Sequence, residues 1–244
     1  MNSRYKSIIF FVFFLCLHVH CFAQSGNPAY YFAEGFNYYE IVKQGENDNT
    51  QLPLLVAFHY SSSTPEELIS YYDSLQTPVR IIIPRGNYPK RNGYSYFPRD
   101  HYAKDSLSQM RTVRGTVDSM AVFLKAISRK YKVKPVVSGI SQGGDISLLL
   151  AIHYPQLIKA SFPLLGFIHR QAYEGMKGSS VKGVPVYMFQ GEDDKIVSVN
   201  YTLKEVAFLK NKFQITLSTY PQAGHDVTAA MEKDYSVLMS ALLK

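Results

Sequence analysis

Ser141 lies two residues after Gly139 and two residues before Gly143, at the point where a predicted strand meets a predicted helix. A serine on such a tight turn projects its hydroxyl above the sheet, and the flanking glycines leave room where larger side chains would collide. The amino-terminal end of the following helix favours negative charge on a nearby carbonyl oxygen. This pattern predicts acyl-transfer chemistry, with Ser141 as the attacking residue.

A serine hydroxyl is a weak nucleophile unless a neighbouring base removes its proton. His225 is the candidate base, because it lies in a short segment between the last predicted strand and the last predicted helix. A carboxylate that follows an earlier strand should hold the imidazole. The resulting chain order of serine, acid and histidine is one of the known orders of a catalytic triad.

Two aspartates compete for the role of the acid. Asp193 and Asp194 both follow Gly191, which comes directly after the predicted strand at residues 184–190. The spacing from Gly191, with Val197 three residues beyond Asp194, favours Asp194 and leaves Asp193 as a solvated turn residue. Asp194 would fix the tautomer of His225 and stabilise its imidazolium. We therefore predict Ser141, Asp194 and His225 as the catalytic residues.

The elements that must position these residues alternate along the chain. Apolar runs predict strands at residues 52–60, 79–84, 135–140, 159–165, 184–190 and 214–220, and an edge strand at 38–43. Helices are predicted from Thr64 and Ser106, each opening with a capping box, the second running to about Tyr131, and at 142–154, 198–212 and 228–243. Strands that are apolar on both faces form parallel sheets covered by helices. The prediction is an α/β domain with a mostly parallel sheet and helices on both faces.

Two segments predict loops, at residues 85–105 and 166–183. The second is too short to form a large cap domain. The first contains Tyr94 and Tyr96, and aromatic side chains close to a nucleophile could line an acyl or aryl pocket. Packing of the loop onto the domain is the alternative. Together with Tyr60, these two tyrosines are the predicted substrate-binding residues.

The segment 138–151, SGISQGGDISLLLA, resembles the nucleophile segment of the phospholipase/carboxylesterase family, which includes the acyl-protein thioesterases. Segments 190–197 (QGEDDKIV) and 223–227 (AGHDV) resemble its acid and histidine loops, and 164–167 (LLGF) a short segment after the next strand. More broadly, the chain is similar to dienelactone hydrolases and polyester depolymerases. The resemblance implies the α/β-hydrolase fold and carboxylic ester hydrolysis.

The chain departs from this resemblance at the oxyanion hole. The family has His-Gly-x-Gly after its first core strand, where this chain has His59, Tyr60 and Ser61. By position, the amide of Ser61 should donate to the oxyanion together with the amide of Gln142. Because Tyr60 replaces a glycine, Tyr60 remains an alternative donor. His59 is predicted to be a buried residue that shapes this loop, and not a base.

The composition fits one globular domain. The 244 residues are 46% hydrophobic and 18% charged, which suffices for one large core and excludes disorder. The formal charge of +7 is scattered along the chain, so nucleic-acid binding is not predicted. No histidine pair has the spacing of metal ligands, and we predict no metal and no cofactor. The oligomeric state is not indicated.

The first 23 residues predict a secretory signal peptide. A basic start and an apolar run at residues 8–17 precede a cleavage site after Ala23. The run is too short for an ordinary membrane span, and the residues before Cys21 are too large for a lipid-anchor signal. We therefore predict one domain at residues 24–244, exported to the periplasm or the medium and without a stable membrane anchor.

These observations favour an exported serine hydrolase that cleaves carboxylic esters, either small molecules or esters linked to a polymer. One alternative is a serine peptidase of the prolyl-oligopeptidase type, which usually has an aromatic residue where Gln142 stands and a large extra domain. A second alternative is a binding protein on the same scaffold, which would normally have lost a member of the triad. Small soluble esters should be better substrates than long triglycerides.

Overall fold

The structure of the protein is a computed structural model that describes residues 29–44, 51–167 and 183–244. The predicted signal peptide, with Cys21 and the cleavage site at Ala23, lies outside these residues, as does most of the predicted loop at 166–183. Within the described ranges, no helix is both long enough and apolar enough to cross a membrane. The division of the chain into a signal peptide and one domain stays a prediction.

The described chain forms a mostly parallel sheet. Its strands are β1 (Ala29–Ala33), β2 (Phe36–Lys43), β3 (Leu54–Phe58), β4 (Val79–Pro84), β5 (Tyr88–Lys90), β6 (Gly93–Ser95), β7 (Val136–Ile140), β8 (Ala160–Leu164), β9 (Val186–Gly191) and β10 (Ile215–Tyr220). Eight of these strands form one sheet in the order β1-β2-β4-β3-β7-β8-β9-β10. The β1–β2 and β2–β4 pairs are antiparallel, and every later pair is parallel. The predicted α/β class is confirmed.

The predicted strand at residues 38–43 is present, but its predicted position at the edge of the sheet is wrong. β2 begins at Phe36 and lies between β1 and β4, so that β1 occupies the edge. A two-residue turn at Glu34 and Gly35 joins β1 to β2, and both residues have positive φ angles of 47° and 85°. Two-residue hairpin turns require such angles. The sequence did not indicate β1, because its five residues show no alternation of apolar and polar side chains.

Five α-helices flank the described sheet. They are α1 (Pro65–Ile69), α2 (Ser106–Tyr131), α3 (Gln142–His153), α4 (Val199–Leu209) and α5 (Ala229–Leu242). The predicted capping box of Thr64 and Glu67 is present at α1. The predicted capping box at Ser106 is wrong, since Asp105 is the N-cap of α2 and its carboxylate accepts from the Ser108 amide at 3.0 Å.

Both faces of the sheet are buried. In β3, Leu54, Val56 and Phe58 belong to the core on one face, whereas Leu55 and Ala57 belong to the core on the other face. Helices α2, α3 and α4 cover the first face, and α1 and α5 cover the second. The parallel strands end at one edge of this sandwich, where segments that follow different strands can meet and form a site.

Part of the predicted loop 85–105 is a β-hairpin. β5 and β6 pair antiparallel, with Pro89 opposite Tyr94, and Arg91 in the connecting turn has a φ angle of 51°. An additional bridge joins Tyr94 to Ser63. The hairpin therefore packs against the segment that follows β3.

Candidate active site

Ser141 lies on a strained turn between β7 and α3. Its φ of 52° and ψ of −115° are unusual for a residue other than glycine, and such a conformation costs about 1–3 kcal/mol. The Ser141 amide donates to the carbonyl of Leu164 at 2.8 Å. A Cβ atom on Gly139 would collide with the backbone of Gly143, and one on Gly143 with the backbone of Phe58. Glycine at both positions allows β7, α3 and β3 to approach closely enough to hold this turn.

The three residues predicted as a triad form a hydrogen-bonded chain. Ser141 Oγ lies 2.9 Å from His225 Nε2, and His225 Nδ1 lies 2.7 Å from Asp194 Oδ2. An ionised carboxylate can only accept a hydrogen bond, so Nδ1 carries the hydrogen and Nε2 accepts from the serine hydroxyl. In this arrangement the imidazole can take the serine proton. The structure brings the three side chains together, and their catalytic roles stay predictions.

Asp194 is buried and fully hydrogen-bonded. Its Oδ1 accepts from the amides of Ile196 and Val197, each at 2.8 Å, and its Oδ2 accepts from Gln190 Nε2 at 2.9 Å. Burial raises the pKa of Asp194, but the hydrogen bonds from Val197, His225 and Ile196 outweigh it and hold the pKa below its usual range. The carboxylate is therefore ionised at the stage when His225 accepts a proton.

Asp193, the competing acid, lies on the outside of the same turn. Its side chain is exposed, and its backbone amide donates to the carbonyl of Ala223 at 2.9 Å. Within the described part of the chain, no hydrogen bond joins its carboxylate to His225, which pairs with Asp194 instead. The geometry thus agrees with the spacing from Gly191.

A cavity of about 310 Å³ opens beside the nucleophile. Its lining consists of Tyr60, Ser61, Tyr71, Ile140, Ser141, His225, Asp226 and Val227. This volume lies at the lower end of the range for small-molecule sites, which is about 300–1,000 Å³. A larger cavity of about 560 Å³ runs along α5, but its lining includes no member of the triad. We therefore place the candidate substrate site in the smaller cavity.

Sequence reasoning found Tyr60 and Ser61 but not the other walls of this cavity. Tyr71 lies in a single 3₁₀ turn after α1, and its sequence neighbourhood carries no signal of a binding role. Val227 lies in the histidine loop, two residues after His225, and this proximity to the predicted base is a sequence signal that could have indicated it. Ring contact between Tyr60 and Tyr71, with centroids 6.5 Å apart, makes one wall aromatic.

The prediction that Tyr96 contacts substrate is wrong. Its side chain is only 2% exposed and does not line the described cavity. The ring stacks on His59 with centroids 4.6 Å apart, and the hydroxyl donates to the carbonyl of Pro84 at 2.5 Å. Tyr94 does not line the described cavity either, because its ring packs beneath the guanidinium of Arg85 at 4.4 Å. Both tyrosines support the hairpin.

The predicted oxyanion donors flank the cavity. Gln142 is the first residue of α3, so its amide has no acceptor within the helix. Its side chain is buried, and Oε1 accepts from the Tyr96 amide at 2.8 Å. On the opposite side, both Tyr60 and Ser61 line the cavity and remain alternative donors. Within the described residues, no group of three or more histidine, cysteine or acidic side chains could hold a metal ion.

His59 is buried and holds the loop after β3 in place, as the sequence predicted. Its Nδ1 donates to the carbonyl of Tyr60 at 2.8 Å, and its Nε2 accepts from the amide of Gly86 at 3.0 Å. The imidazole is thus satisfied in its neutral form. Burial lowers the pKa of His59 to about 4, against an ordinary value of 6.5.

We expect His59 to make the protein less stable as the pH falls from 6.5 towards 4. In this window the unfolded histidine binds a proton that the folded one does not, so stability is present above the unfolded pKa and is lost with acidification. The loss attributable to this group is about 3 kcal/mol at pH 4. Urea unfolding of wild type and His59→Gln between pH 7 and pH 4 measures it. A pH dependence equally steep in both proteins would contradict the assignment.

Sequence comparison identifies the family. The model of the dienelactone hydrolase family matches residues 88–239, which is well over half of the chain and includes Ser141, Asp194 and His225. The chain belongs to the dienelactone hydrolase family. The resemblance to the dienelactone hydrolases that the sequence motifs indicated is confirmed.

A curated protein similar to this chain is acyl-protein thioesterase 1 of Mycosarcoma maydis. It is 26% identical over 114 residues, which cover 44% of this chain and 48% of that protein. The chain therefore spans about half the length of the curated relative that it matches. This similarity agrees with the resemblance to the acyl-protein thioesterases.

Solved structures share the fold. The carboxylesterase of Mesorhizobium loti superposes with a TM-score of 0.72 at 14% identity, covering 88% of this chain and 99% of that chain. The Bacillus cereus carboxylesterase gives 0.69 at 19% identity, covering 83% and 93%. Esterase PE8 gives 0.68 at 20% identity, covering 78% and 93%. At these identities the likeness shows the fold, and the predicted α/β-hydrolase fold is confirmed.

Proposed function

We propose that the protein is an exported serine esterase that works through a Ser141–His225–Asp194 triad and an acyl-enzyme. The observation that carries the proposal is the chain of two hydrogen bonds, 2.9 Å and 2.7 Å long, that ends at Ser141 beside an open cavity. A serine, a base and an orienting acid within hydrogen-bond distance are the arrangement that activates a hydroxyl.

The reaction proceeds in two stages. In the first, His225 takes the Ser141 proton while Oγ attacks the ester carbonyl, and His225 then returns the proton to the leaving alcohol. In the second, a water molecule loses a proton to His225 and attacks the acyl-enzyme, and His225 then returns this proton to Ser141 Oγ as the acid leaves. The amides of Gln142 and Ser61, with Tyr60 as the alternative to Ser61, stabilise the oxyanion in both stages.

The small cavity implies a small acyl or alcohol group. Tyr60 and Tyr71 give it an aromatic wall and Asp226 a polar one, which suits esters of mixed polarity. We expect kcat/KM on 4-nitrophenyl esters to be highest at two to four acyl carbons and to fall about tenfold or more by eight carbons, since about 300 Å³ is the lower limit for such sites. A steep rise towards long chains would contradict this expectation.

The same panel separates wall residues from supporting residues. Tyr71→Ala should shift the optimum towards longer acyl groups, because it enlarges the cavity. Tyr94→Ala is the matched control, because it removes a tyrosine side chain that does not line the described cavity. Its dependence of kcat/KM on acyl length should stay that of the wild type. An unchanged profile in Tyr71→Ala would remove this tyrosine from the substrate site.

Thioesters form a second candidate class of substrate. The observation that favours them is the similarity to the Mycosarcoma maydis acyl-protein thioesterase. A matched butyryl ester, butyryl thioester and aminoacyl anilide compare the possible leaving groups on one enzyme. We expect the ester and the thioester to be cleaved and the anilide not, and rapid cleavage of the anilide alone would favour a peptidase of the prolyl-oligopeptidase type. Cleavage of none of the three would favour the binding protein.

Export belongs to the proposal because residues 1–23 have the composition of a signal peptide. We expect the mature protein to begin at or near Gln24, to contain no cysteine and to be recovered from the periplasm or the medium. Intact-mass analysis of the purified mature protein measures this directly. A mass that matches residues 1–244, or a diacylglyceryl adduct on Cys21, would contradict it.

A further inference from the structure

The β5–β6 hairpin is hydrogen-bonded to the loop at residues 59–63. This loop carries the predicted oxyanion donors Tyr60 and Ser61, and we call it the oxyanion loop. The amide of Ser62 donates to the carbonyl of Tyr94 at 2.8 Å, and the amide of Tyr94 donates to the carbonyl of Ser63 at 2.9 Å. A Cβ atom on Gly93 would lie 2.5 Å from the carbonyl oxygens of Ser62 and Ser63. Hairpin and loop thus lie in direct backbone contact, in a chain whose oxyanion loop lacks glycine.

Lys90, at the end of β5, reaches from the hairpin to the edge of the substrate cavity. Its Nζ donates to Ser61 Oγ at 2.8 Å, and Ser61 lines the cavity that holds the nucleophile. Within one serine, Oγ and the backbone nitrogen are about 3 Å apart. The ammonium therefore lies within about 6 Å of the Ser61 amide, the predicted oxyanion donor.

Lys90 is half-buried, and its ammonium has no carboxylate partner among the described residues. It lies over the ring of Tyr102 at 5.4 Å from the centroid. Burial, and next the charge of Arg91, lower the pKa of Lys90. Partial burial of a cation costs free energy when no anion lies beside it. A negative charge that forms nearby would offset this cost.

We propose that Lys90 is a positioning residue for the oxyanion hole, which holds the Ser61 side chain and adds positive charge to the side of the cavity where the oxyanion forms. The inference rests on the proposed esterase function and extends it to a residue outside the triad. The oxyanion carries its charge in the transition state and not in the bound ester. A fixed positive charge therefore favours the transition state and should act mainly on kcat.

The test compares Lys90→Met with Lys90→Arg and with Arg91→Met. Arg91→Met is the matched control, since it removes one positive charge from the same hairpin at an exposed residue. For Lys90→Met we expect kcat on 4-nitrophenyl butyrate to fall about tenfold with KM changed less than about threefold. Lys90→Arg should recover most of kcat, and Arg91→Met should stay within about twofold of wild type.

A transition-state analogue separates this role from a purely structural one. A short-chain trifluoromethyl ketone adds to Ser141 and forms an oxyanion, whereas the matched methyl ketone binds without charge. In Lys90→Met, Ki for the trifluoromethyl ketone should rise by the same factor as kcat/KM falls, and Ki for the methyl ketone should stay constant. Equal changes in both inhibitors, or a loss in Arg91→Met as large as in Lys90→Met, would overturn the proposal.

Ser61→Ala provides a second test of the Lys90–Ser61 contact if Lys90→Met does not fold. This variant retains the Ser61 backbone amide but removes the acceptor of the Lys90 ammonium, and we expect kcat to fall about fivefold with unchanged KM. A kcat within twofold of wild type would overturn the inference. Failure of the proposed function looks different: wild-type protein would then cleave no ester and would not react with the trifluoromethyl ketone.

Discussion

Ser141→Ala is expected to abolish ester hydrolysis, with kcat reduced by about a million-fold. The substitution removes the only atom in the described site that lies within hydrogen-bond distance of His225 Nε2, so no nucleophile remains for the acyl-enzyme. Activity should not fall to the uncatalysed rate, because the oxyanion donors persist and can still favour attack by water. Progress curves on 4-nitrophenyl butyrate measure the loss.

The folded state should survive this change. Ser141 contributes its backbone to the turn through the bond to Leu164, and alanine retains that backbone. Ser147→Ala is the control, since it removes a serine hydroxyl from inside the following helix α3, where Oγ donates to the carbonyl of Gly144 at 3.1 Å. We expect its kcat within about threefold of wild type, because Ser147 does not line the described cavity and so makes no contact there with the transition state. Equal activity of Ser141→Ala and Ser147→Ala would remove Ser141 from the mechanism.

Asp194→Asn is expected to lower kcat about ten thousand-fold, and Asp193→Asn to leave it nearly unchanged. An asparagine amide facing His225 Nδ1 favours the tautomer in which Nε2 carries the hydrogen, and that tautomer cannot accept the Ser141 proton. The substitution also removes the negative charge that stabilises the imidazolium. Asp193 provides the matched control, since its exposed carboxylate lies one residue away on the same turn.

The measurement is kcat/KM for both variants on the same ester, with thermal unfolding to establish that each is folded. Asp194 Oδ1 accepts from two backbone amides, and an asparagine carbonyl can replace it in both bonds, so we expect Asp194→Asn to remain folded. Equal losses in the two variants, or a larger loss in Asp193→Asn, would transfer the acid role to Asp193.

The sequence indicated Ser141 and His225 because the local geometry of the chain defines both positions. Ser141 is marked by glycines two residues away on either side, and their need follows from backbone collisions inside one turn. The choice of Asp194 over Asp193 was also local, since it depends on which residue of one turn faces inward. Positions that follow from a few consecutive residues can be predicted without knowledge of distant contacts.

The walls of the cavity depend on distant contacts and could not be predicted in this way. Tyr96 shares the hairpin region with Tyr94, and nothing local shows that its ring stacks on His59, 37 residues earlier in the chain. Tyr71 joins the cavity only because the turn after α1 packs beside the histidine loop. Residue type and spacing predicted which side chains come together beside Ser141, whereas tertiary packing determined which residues surround them.

Active-site labelling shows directly whether Ser141 is the nucleophile. The mature protein is incubated with a fluorophosphonate, digested, and mapped by mass spectrometry. We expect a single phosphonyl adduct on Ser141, concurrent loss of esterase activity, no adduct in Ser141→Ala, and slower labelling in Asp194→Asn. An adduct on another residue, or full esterase activity in the unlabelled Ser141→Ala protein, would contradict it.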